Sequence, residues 1–169
     1  PFMITPPISR VDGNKGQTLR IVALPKSGSL SKTQETLYWL NILDIPPKPS
    51  VKNVDGVPEN FLQLAIRSRI KFFYRPSEIK DDSATAPMKL QWFVQGNQLK
   101  VKNPTPFHIT LTNINQDDMG KRVDLISEGL MLKPFSEERI TLKSSNTSKM
   151  VFTSINDYGG RIEFPIKVQ

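Results

Sequence analysis

The chain is poor in histidine and cysteine, two residue types that often act as bases and nucleophiles in catalysis. The sole histidine is His108, and the absence of cysteine excludes thiol nucleophiles and cysteine-ligated zinc. Acidic pairs occur at Asp81-Asp82, Asp117-Asp118 and Glu137-Glu138, in polar stretches typical of solvated loops. Gly159-Gly160 is a lone pair at a turn and not a phosphate-binding loop. We therefore expect no enzyme, no cofactor and no metal site, and interpret His108 as a strand histidine on a half-exposed face.

The composition is typical of an all-β protein. The 169 residues include 14 prolines and 9 glycines, scattered among short apolar runs, and no long helical pattern occurs. No apolar run approaches the roughly 20 residues of a membrane-spanning helix, so we expect no membrane insertion. The net charge of +7 arises from basic residues spread along the chain. The stretch KFFYR places aromatic and basic residues together, but we expect no nucleic-acid binding.

Short apolar segments predict two groups of strands that Pro76 separates. The first group is Phe2–Ile4, Gln17–Leu24, Thr36–Ile45 and Phe61–Tyr74; the second is Met88–Val94, Gln98–Lys102, Phe107–Ile114, Gly129–Leu132, Arg139–Leu142, Lys149–Ser154 and Arg161–Val168. A single helical turn is allowed at Ser31–Leu37. The second group has the strand spacing of an immunoglobulin-like sandwich. We predict domains at residues 1–76 and 77–169, with the first domain missing its N-terminal strands because four strands do not close two sheets.

The strand predicted at Phe61–Tyr74 changes character along its length. Leu62, Leu64 and Ile66 alternate on one side, and the far end carries Arg67, Arg69 and Lys71. With Thr36–Ile45 it predicts a long hairpin, joined by a polar and mobile loop at Lys48–Asn60. The residues alone leave two roles for the apolar side, a lining of the chain's own core or a surface for a partner, and they favour the core. Phe72 to Tyr74 are expected to finish a buried strand.

Several phrases in order resemble one family. LSKTQETLYWLNILDIPP followed by LQLAIRSRIKFFYRP is similar to the periplasmic chaperones of the chaperone–usher pilus-assembly pathway, as are ITPPISR, TLRIV, NPTPFHITLTNI and INDYGG. The resemblance implies two immunoglobulin-like sandwich domains arranged as a boomerang, with a subunit-binding cleft between them. The moderate hairpin loop and the absence of cysteine resemble the short-loop class. Thr33 departs from the Asp, Asn or Ser that is usual there.

The resemblance also implies roles for particular residues. Leu62, Leu64 and Ile66 match the strand that such chaperones lend to an incomplete pilus subunit. Lys71 matches the lysine that anchors the subunit's terminal carboxylate, whereas no arginine here matches its family partner. Glu35, Arg75 and Asp157 match an inter-domain salt-bridge network that fixes the angle between the domains.

The function that the resemblance implies is a periplasmic chaperone. It would bind, fold and cap pilus or fimbrial subunits and deliver them to an outer-membrane usher, and the same strand would allow a self-capped oligomer. Two alternatives remain open at this point: a structural pilus subunit or adhesin, and a generic two-domain immunoglobulin-like binding module. The chain also opens on PFMITPP, which in the family lies inside the first domain. We therefore expect that a few tens of residues of that domain are missing.

Overall fold

The computed structural model describes residues 1–47, 62–147 and 149–169, and it confirms an all-β fold. The strands are β1 (Phe2–Thr5), β2 (Arg20–Ala23), β3 (Thr36–Asp44), β4 (Ile66–Tyr74), β5 (Gln91–Gln95), β6 (Gln98–Lys102), β7 (Ile109–Asp118), β8 (Lys121–Asp124), β9 (Leu130–Leu132), β10 (Glu137–Thr141), β11 (Met150–Ile155) and β12 (Arg161–Pro165). Short 3-10 helices occupy Pro25–Ser29 and Ala86–Lys89. Within the described residues no helix has the length and apolar character needed to cross a membrane.

The chain forms two compact units, and the larger one comprises residues 1–35 and 75–169. Its strands β5 to β12 form two antiparallel sheets, one in the order β10-β6-β5 and one in the order β12-β11-β7-β8, with β9 also paired to β7. β1 and β2 pair as a separate two-stranded sheet. Alternating apolar residues on the strands let each of the two larger sheets present one face to a shared core.

The core of the larger unit is built from aliphatic and aromatic side chains of both sheets. Trp92 contributes from β5 and Phe152 from β11, with their ring centroids 5.2 Å apart. The buried apolar residues are Ala86, Leu90, Trp92, Leu99, Val101, Phe107, Ile109, Leu111, Ile114, Leu132, Ile140, Leu142, Met150, Phe152 and Ile166. All of them follow Pro76, so this core belongs to the second predicted group of strands.

The smaller unit is the described part of residues 36–74, and it is an antiparallel hairpin of β3 and β4. Its register pairs Thr36 with Tyr74 at one end and Asp44 with Ile66 at the other. The loop predicted at Lys48–Asn60 lies outside the described residues. The predicted hairpin is therefore present, with nine residues in each strand.

Several local predictions were wrong. Ser31–Leu37 forms no helical turn, and the 3-10 turn lies earlier, at Pro25–Ser29. β8 was not predicted. Asp117-Asp118 end β7, and Glu137-Glu138 begin β10, so neither acidic pair lies in a loop. A carboxylate at the polar end of a strand and a carboxylate in a loop have similar sequence neighbourhoods, because both face water.

Candidate functional site

The segment that leads into β4 presents its apolar side chains to solvent. The exposed fractions are 84 % for Leu62, 65 % for Leu64 and 62 % for Ile66. Only Ile66 lies in β4, so the prediction of a regular strand through Leu62 and Leu64 was wrong. The three side chains take no part in the buried core of the described residues, against the interpretation that the residues alone favoured.

The pairing of β4 stops at Ile66 for a reason that lies in the opposite strand. Beyond Asp44, the last residue of β3, the chain reaches Pro46 and Pro47, which have no N–H to donate to a ladder. The Gln63 side chain instead donates to both proline carbonyl oxygens, at 3.1 Å each. Among the described strands, β3 is the one that pairs with β4, from Thr36–Tyr74 to Asp44–Ile66.

Basic residues alternate along one face of β4. Arg67, Arg69 and Lys71 share this face, opposite Trp39 and its neighbours on β3. The Arg69 guanidinium lies 4.1 Å from the centroid of the Trp39 ring, within the range of a cation–π contact. Lys71 pairs directly with Trp39 and is half-buried. Phe73, beyond it, is 37 % exposed, so the end of the strand is less buried than predicted.

The larger unit brings together Glu35, Arg75 and Asp157 in one ion-pair cluster. Arg75 Nε donates to Glu35 Oε1 at 2.7 Å. Arg75 Nη1 and Nη2 donate to Asp157 Oδ2 and Oδ1 at 2.8 and 3.2 Å, a bidentate pair. These residues are separated by 40 and 82 positions in the chain, and the fold brings them into contact. Their effect on an angle between domains stays a prediction.

Two further residues complete this cluster, and sequence reasoning missed both. Ser83 Oγ donates to Asp157 Oδ2 at 2.9 Å and accepts from Arg75 Nη1 at 3.1 Å. The backbone N–H of His108 donates to Glu35 Oε2 at 2.7 Å, and its ring Nδ1 lies 3.3 Å from the same oxygen. His108 precedes β7, so the expected position within a strand was wrong; the whole residue is half-buried, and its side chain is 7 % exposed. The phrase NPTPFHITL carried a signal for His108, whereas Ser83 lies in a polar stretch without one.

Local hydrogen bonds hold the segments that carry the cluster. The buried Asn103 side chain donates to the Phe107 carbonyl oxygen at 2.7 Å, and its Oδ1 accepts from Thr105. This fixes the loop that presents the His108 N–H. Asn156 Oδ1 accepts from the backbone N–H groups of Tyr158 and Gly160, and closes the turn that carries Asp157. Asparagine is suited to both places because its short amide can pair with nearby backbone groups.

The cluster changes the pKa values of its acidic members. Burial alone raises the pKa of Glu35, but hydrogen bonds from His108 and Arg75 and the charge of Arg75 outweigh it, and the pKa lies below its ordinary value. The hydrogen bond from Arg75 lowers the pKa of Asp157, assisted by Ser83 and opposed by burial. The hydrogen bond to Asp157 raises the pKa of Arg75. Both carboxylates are thus stabilised in the charged form.

We expect the free energy of unfolding to fall as the pH is lowered from about 5 towards about 3, a window set by ordinary carboxyl pKa values of about 4. Because the folded pKa values of Glu35 and Asp157 are depressed, the unfolded chain binds more protons there. The contribution of these two carboxylates to stability is complete at a pH above their pKa values in the unfolded chain. It is lost as the pH falls through their lower pKa values in the folded chain. Urea unfolding across this range measures it. Glu35→Gln should give a shallower pH dependence than Glu163→Gln, whereas equal slopes would contradict the assignment.

Comparison with known proteins gives the context of these residues. The family model described as "Pili and flagellar-assembly chaperone, PapD N-terminal domain" matches residues 1–80, and that described as "Pili assembly chaperone PapD, C-terminal domain" matches residues 85–165. The chaperone protein MrkB of Klebsiella pneumoniae is 44 % identical, over all of this chain and 70 % of that protein. The chain belongs to the PapD-like pilus-assembly chaperone family.

Further members of the family agree in sequence and structure. The probable fimbrial chaperone YadV of Escherichia coli (strain K12) is 39 % identical over 96 % of this chain and 68 % of that protein. The crystal structure of the YadV chaperone matches with a TM-score of 0.78 and 36 % identity, over 99 % of this chain and 79 % of that one. The predicted fold of two immunoglobulin-like domains is confirmed by this likeness. The family is one of chaperones and not of enzymes.

A second structural likeness comes from a complex that includes a pilin. The structure titled as the Salmonella enterica SafA pilin in complex with the SafB chaperone matches with a TM-score of 0.74 and 28 % identity, over 98 % of this chain and 75 % of that chain.

Glu35 and Arg75 lie in the stretch that matches the N-terminal pilus-chaperone domain, and Asp157 lies in the stretch that matches the C-terminal domain. The ion-pair cluster therefore joins residues from both matched stretches. The boundary predicted at residue 76 stays a prediction.

Proposed function

We propose that this chain is a periplasmic chaperone that captures pilus subunits by adding its Leu62–Tyr74 segment to their incomplete sandwich. The observation that carries the proposal is the exposure of Leu62, Leu64 and Ile66 at the start of a two-stranded hairpin that forms a unit of its own. Adjacent exposed aliphatic side chains are an aggregation liability in a protein that does not use them to bind a partner. The named relatives are fimbrial chaperones, and one likeness is titled as a chaperone–pilin complex.

Strand addition gives a function both to the backbone of the segment and to its alternating side chains. The backbone groups of β4 supply main-chain hydrogen bonds to the subunit, while alternating side chains fill its pockets. Each buried aliphatic chain contributes about 1.5–3 kcal/mol. Leu62, Leu64 and Ile66 together supply several such contributions before the cost of ordering the segment is subtracted. The segment is irregular in the free chain at Leu62–Ala65, so it would become a regular strand on binding.

Lys71 is the proposed anchor for the terminal carboxylate of the subunit. An ammonium group has three N–H donors and a full charge, and its bonds to a carboxylate are among the stronger hydrogen bonds. A fixed anchor also sets the register, because a slip of one residue would turn the three aliphatic side chains away from the subunit.

We expect Lys71→Met to abolish recovery of a co-expressed subunit and to change the melting temperature of the free chain by less than about 3 °C, the shift of about 1 kcal/mol. Methionine keeps the apolar stem and removes the charge. Arg67→Met is the matched control, since it removes one charge from the same face of β4. Co-purification of a tagged subunit measures the effect. Equal losses for the two variants would point to general electrostatics, and undiminished recovery with Lys71→Met would exclude the anchor.

The remaining parts of the proposal concern partners and place. The chain would deliver its subunit to an outer-membrane usher, act in the periplasm, and cover its own donor segment by self-capping when no subunit is present. The cluster of Glu35, Arg75 and Asp157 would hold the two domains at the angle that the subunit requires. Burial of the Glu35 side chain, which is only 2 % exposed, supports a fixed geometry for this cluster.

Co-expression with a candidate pilus subunit tests the proposed function directly. A chaperone yields a soluble complex of one chain with one subunit, while the subunit alone polymerises or is degraded. Mass photometry or size-exclusion chromatography with light scattering gives the stoichiometry. A chain that polymerises with itself would instead be a structural subunit. A chain that leaves every tested subunit insoluble would be a binding module of another kind.

A further inference from the structure

A cavity of about 190 Å³ lies at one end of the larger unit, next to the ion-pair cluster. An apolar cavity of about 150 Å³ in another protein is large enough to admit benzene, so this one has room for a single six-membered ring and a short substituent. All of its lining residues belong to the larger unit. They fall into an apolar wall and a charged rim.

Part of the wall is formed by apolar side chains that remain open to solvent. Ile162 is 44 % exposed although it lies on the same face of β12 as Phe164, which packs against Phe152 in the core with ring centroids 5.3 Å apart. Tyr158, which is 96 % exposed, adds an aromatic ring to the lining, whereas the Phe107 ring is 2 % exposed and lies under the Arg75 guanidinium. This end of the sandwich therefore offers the Ile162 and Tyr158 side chains as exposed apolar surface.

One wall residue carries a polar atom without a partner. Ser154 lines the cavity and is 2 % exposed, and its Oγ forms no hydrogen bond among the described residues. A buried hydroxyl that lacks a partner is costly, and such groups in native proteins are few. This observation is independent of the charges at the rim, and it shows that the wall of the cavity is incompletely satisfied in the free chain.

The charges at the rim determine whether the cavity favours a cationic or an anionic ligand. The lining carries one cation, Arg75, against two carboxylates, Asp82 and Asp157. Arg75 is already bonded to Glu35 and Asp157, so its charge is neutralised. Asp82 Oδ1 accepts from the Ala84 N–H, which leaves its second oxygen as an acceptor. An anion would meet net negative charge here, whereas a cation would meet Asp82 and the exposed Tyr158 ring.

From these observations we propose that the cavity binds small organic cations that carry one apolar ring, with the ring against Tyr158, Ile162 and Phe164 and the cationic group towards Asp82. The ligand class is an aromatic or cyclic amine, such as benzylammonium. The lining belongs to the larger unit, whereas the exposed segment before β4 belongs to the smaller one.

The test is an NMR titration of the full chain with three probes that share one ring and differ in charge, at constant ionic strength. We expect benzylammonium to saturate, benzyl alcohol to bind about threefold to fivefold more weakly, as the loss of an exposed ion pair implies, and benzoate not to bind. Resonances of Tyr158, Ile162 and Phe164 should shift with benzylammonium. Benzoate binding as tight as that of benzylammonium, or shifts confined to other residues, would overturn the proposal.

Two variants distinguish the contribution of the apolar wall to binding from that of the charged rim. Ile162→Trp fills the cavity and should abolish binding of both benzylammonium and benzyl alcohol, while Ile8→Trp, at a position that is 90 % exposed and outside the lining, should leave both unchanged. Asp82→Asn should keep benzyl alcohol binding and remove the preference for the ammonium. Undiminished binding to folded Ile162→Trp contradicts the site. If that variant does not fold, a preference retained in Asp82→Asn contradicts it as well.

Discussion

A Leu64→Glu chain is expected to fold like the parent chain and to recover no pilus subunit. Leu64 is 65 % exposed and lies outside the buried core, so a glutamate there remains hydrated in the free chain. In a subunit groove the same glutamate would lose the apolar contribution of leucine and would be buried without a partner, a penalty of about 3 kcal/mol or more. Recovery of the complex should therefore fall by about two orders of magnitude or more.

The matched control for this variant lies one residue further along the chain. Ala65→Glu adds the same charge to an exposed neighbour of opposite alternation, so its side chain would point away from the groove in a regular strand. We expect Ala65→Glu to retain most of the recovery. Thermal unfolding and co-purification of both variants give the answer. If Leu64→Glu lowers the melting temperature while Ala65→Glu does not, Leu64 stabilises the free chain and the proposed strand donation loses its main support.

The strand bounds were predicted best where apolar and polar residues alternate regularly along the strand itself. β6 matches its predicted bounds, Gln98–Lys102, because apolar residues face the core at alternate positions and Gly96 closes the preceding turn with a φ of +61°. In β7 the alternation is interrupted, since the buried residues are Ile109 and Leu111 and then Ile114. The register between β7 and β11 shifts at this point, and only the pairing of two distant strands shows it.

The candidate site was predictable to the extent that it matched family phrases. Glu35, Arg75 and Asp157 were expected to meet because three phrases resembled one family, and local patterns would not have linked residues that are 40 and 82 positions apart. The burial of His108 depends on Glu35, which is 73 positions away. The irregular backbone at Leu62–Ala65 depends on prolines of the opposite strand. Such features are set by partners, and the sequence around each residue does not identify its partner.

The largest loss of stability in the free chain is expected from Arg75→Met. The change leaves the Glu35 carboxylate, with a side chain that is 2 % exposed, without its charged partner, although the His108 N–H still donates to it. Breaking a fully buried pair costs about 3–5 kcal/mol, and the 39 % exposure of the Arg75 side chain reduces this to about 2–3 kcal/mol. For a chain of this length the melting temperature should fall by about 5–10 °C.

A second arginine of the same unit provides the matched control. Arg122 donates to both oxygens of Glu163 at 3.1 and 3.3 Å, with side chains that are 63 % and 46 % exposed. The bond types resemble those between Arg75 and Asp157, so Arg122→Met differs mainly in the burial of the carboxylates, and it should cost at most about 1 kcal/mol. Adding Glu35→Leu to Arg75→Met removes the stranded carboxylate and should restore part of the loss. Equal costs for the two arginines, or no recovery in the double variant, would show that Arg75 stabilises the unit through its packing on Phe107 and not through Glu35.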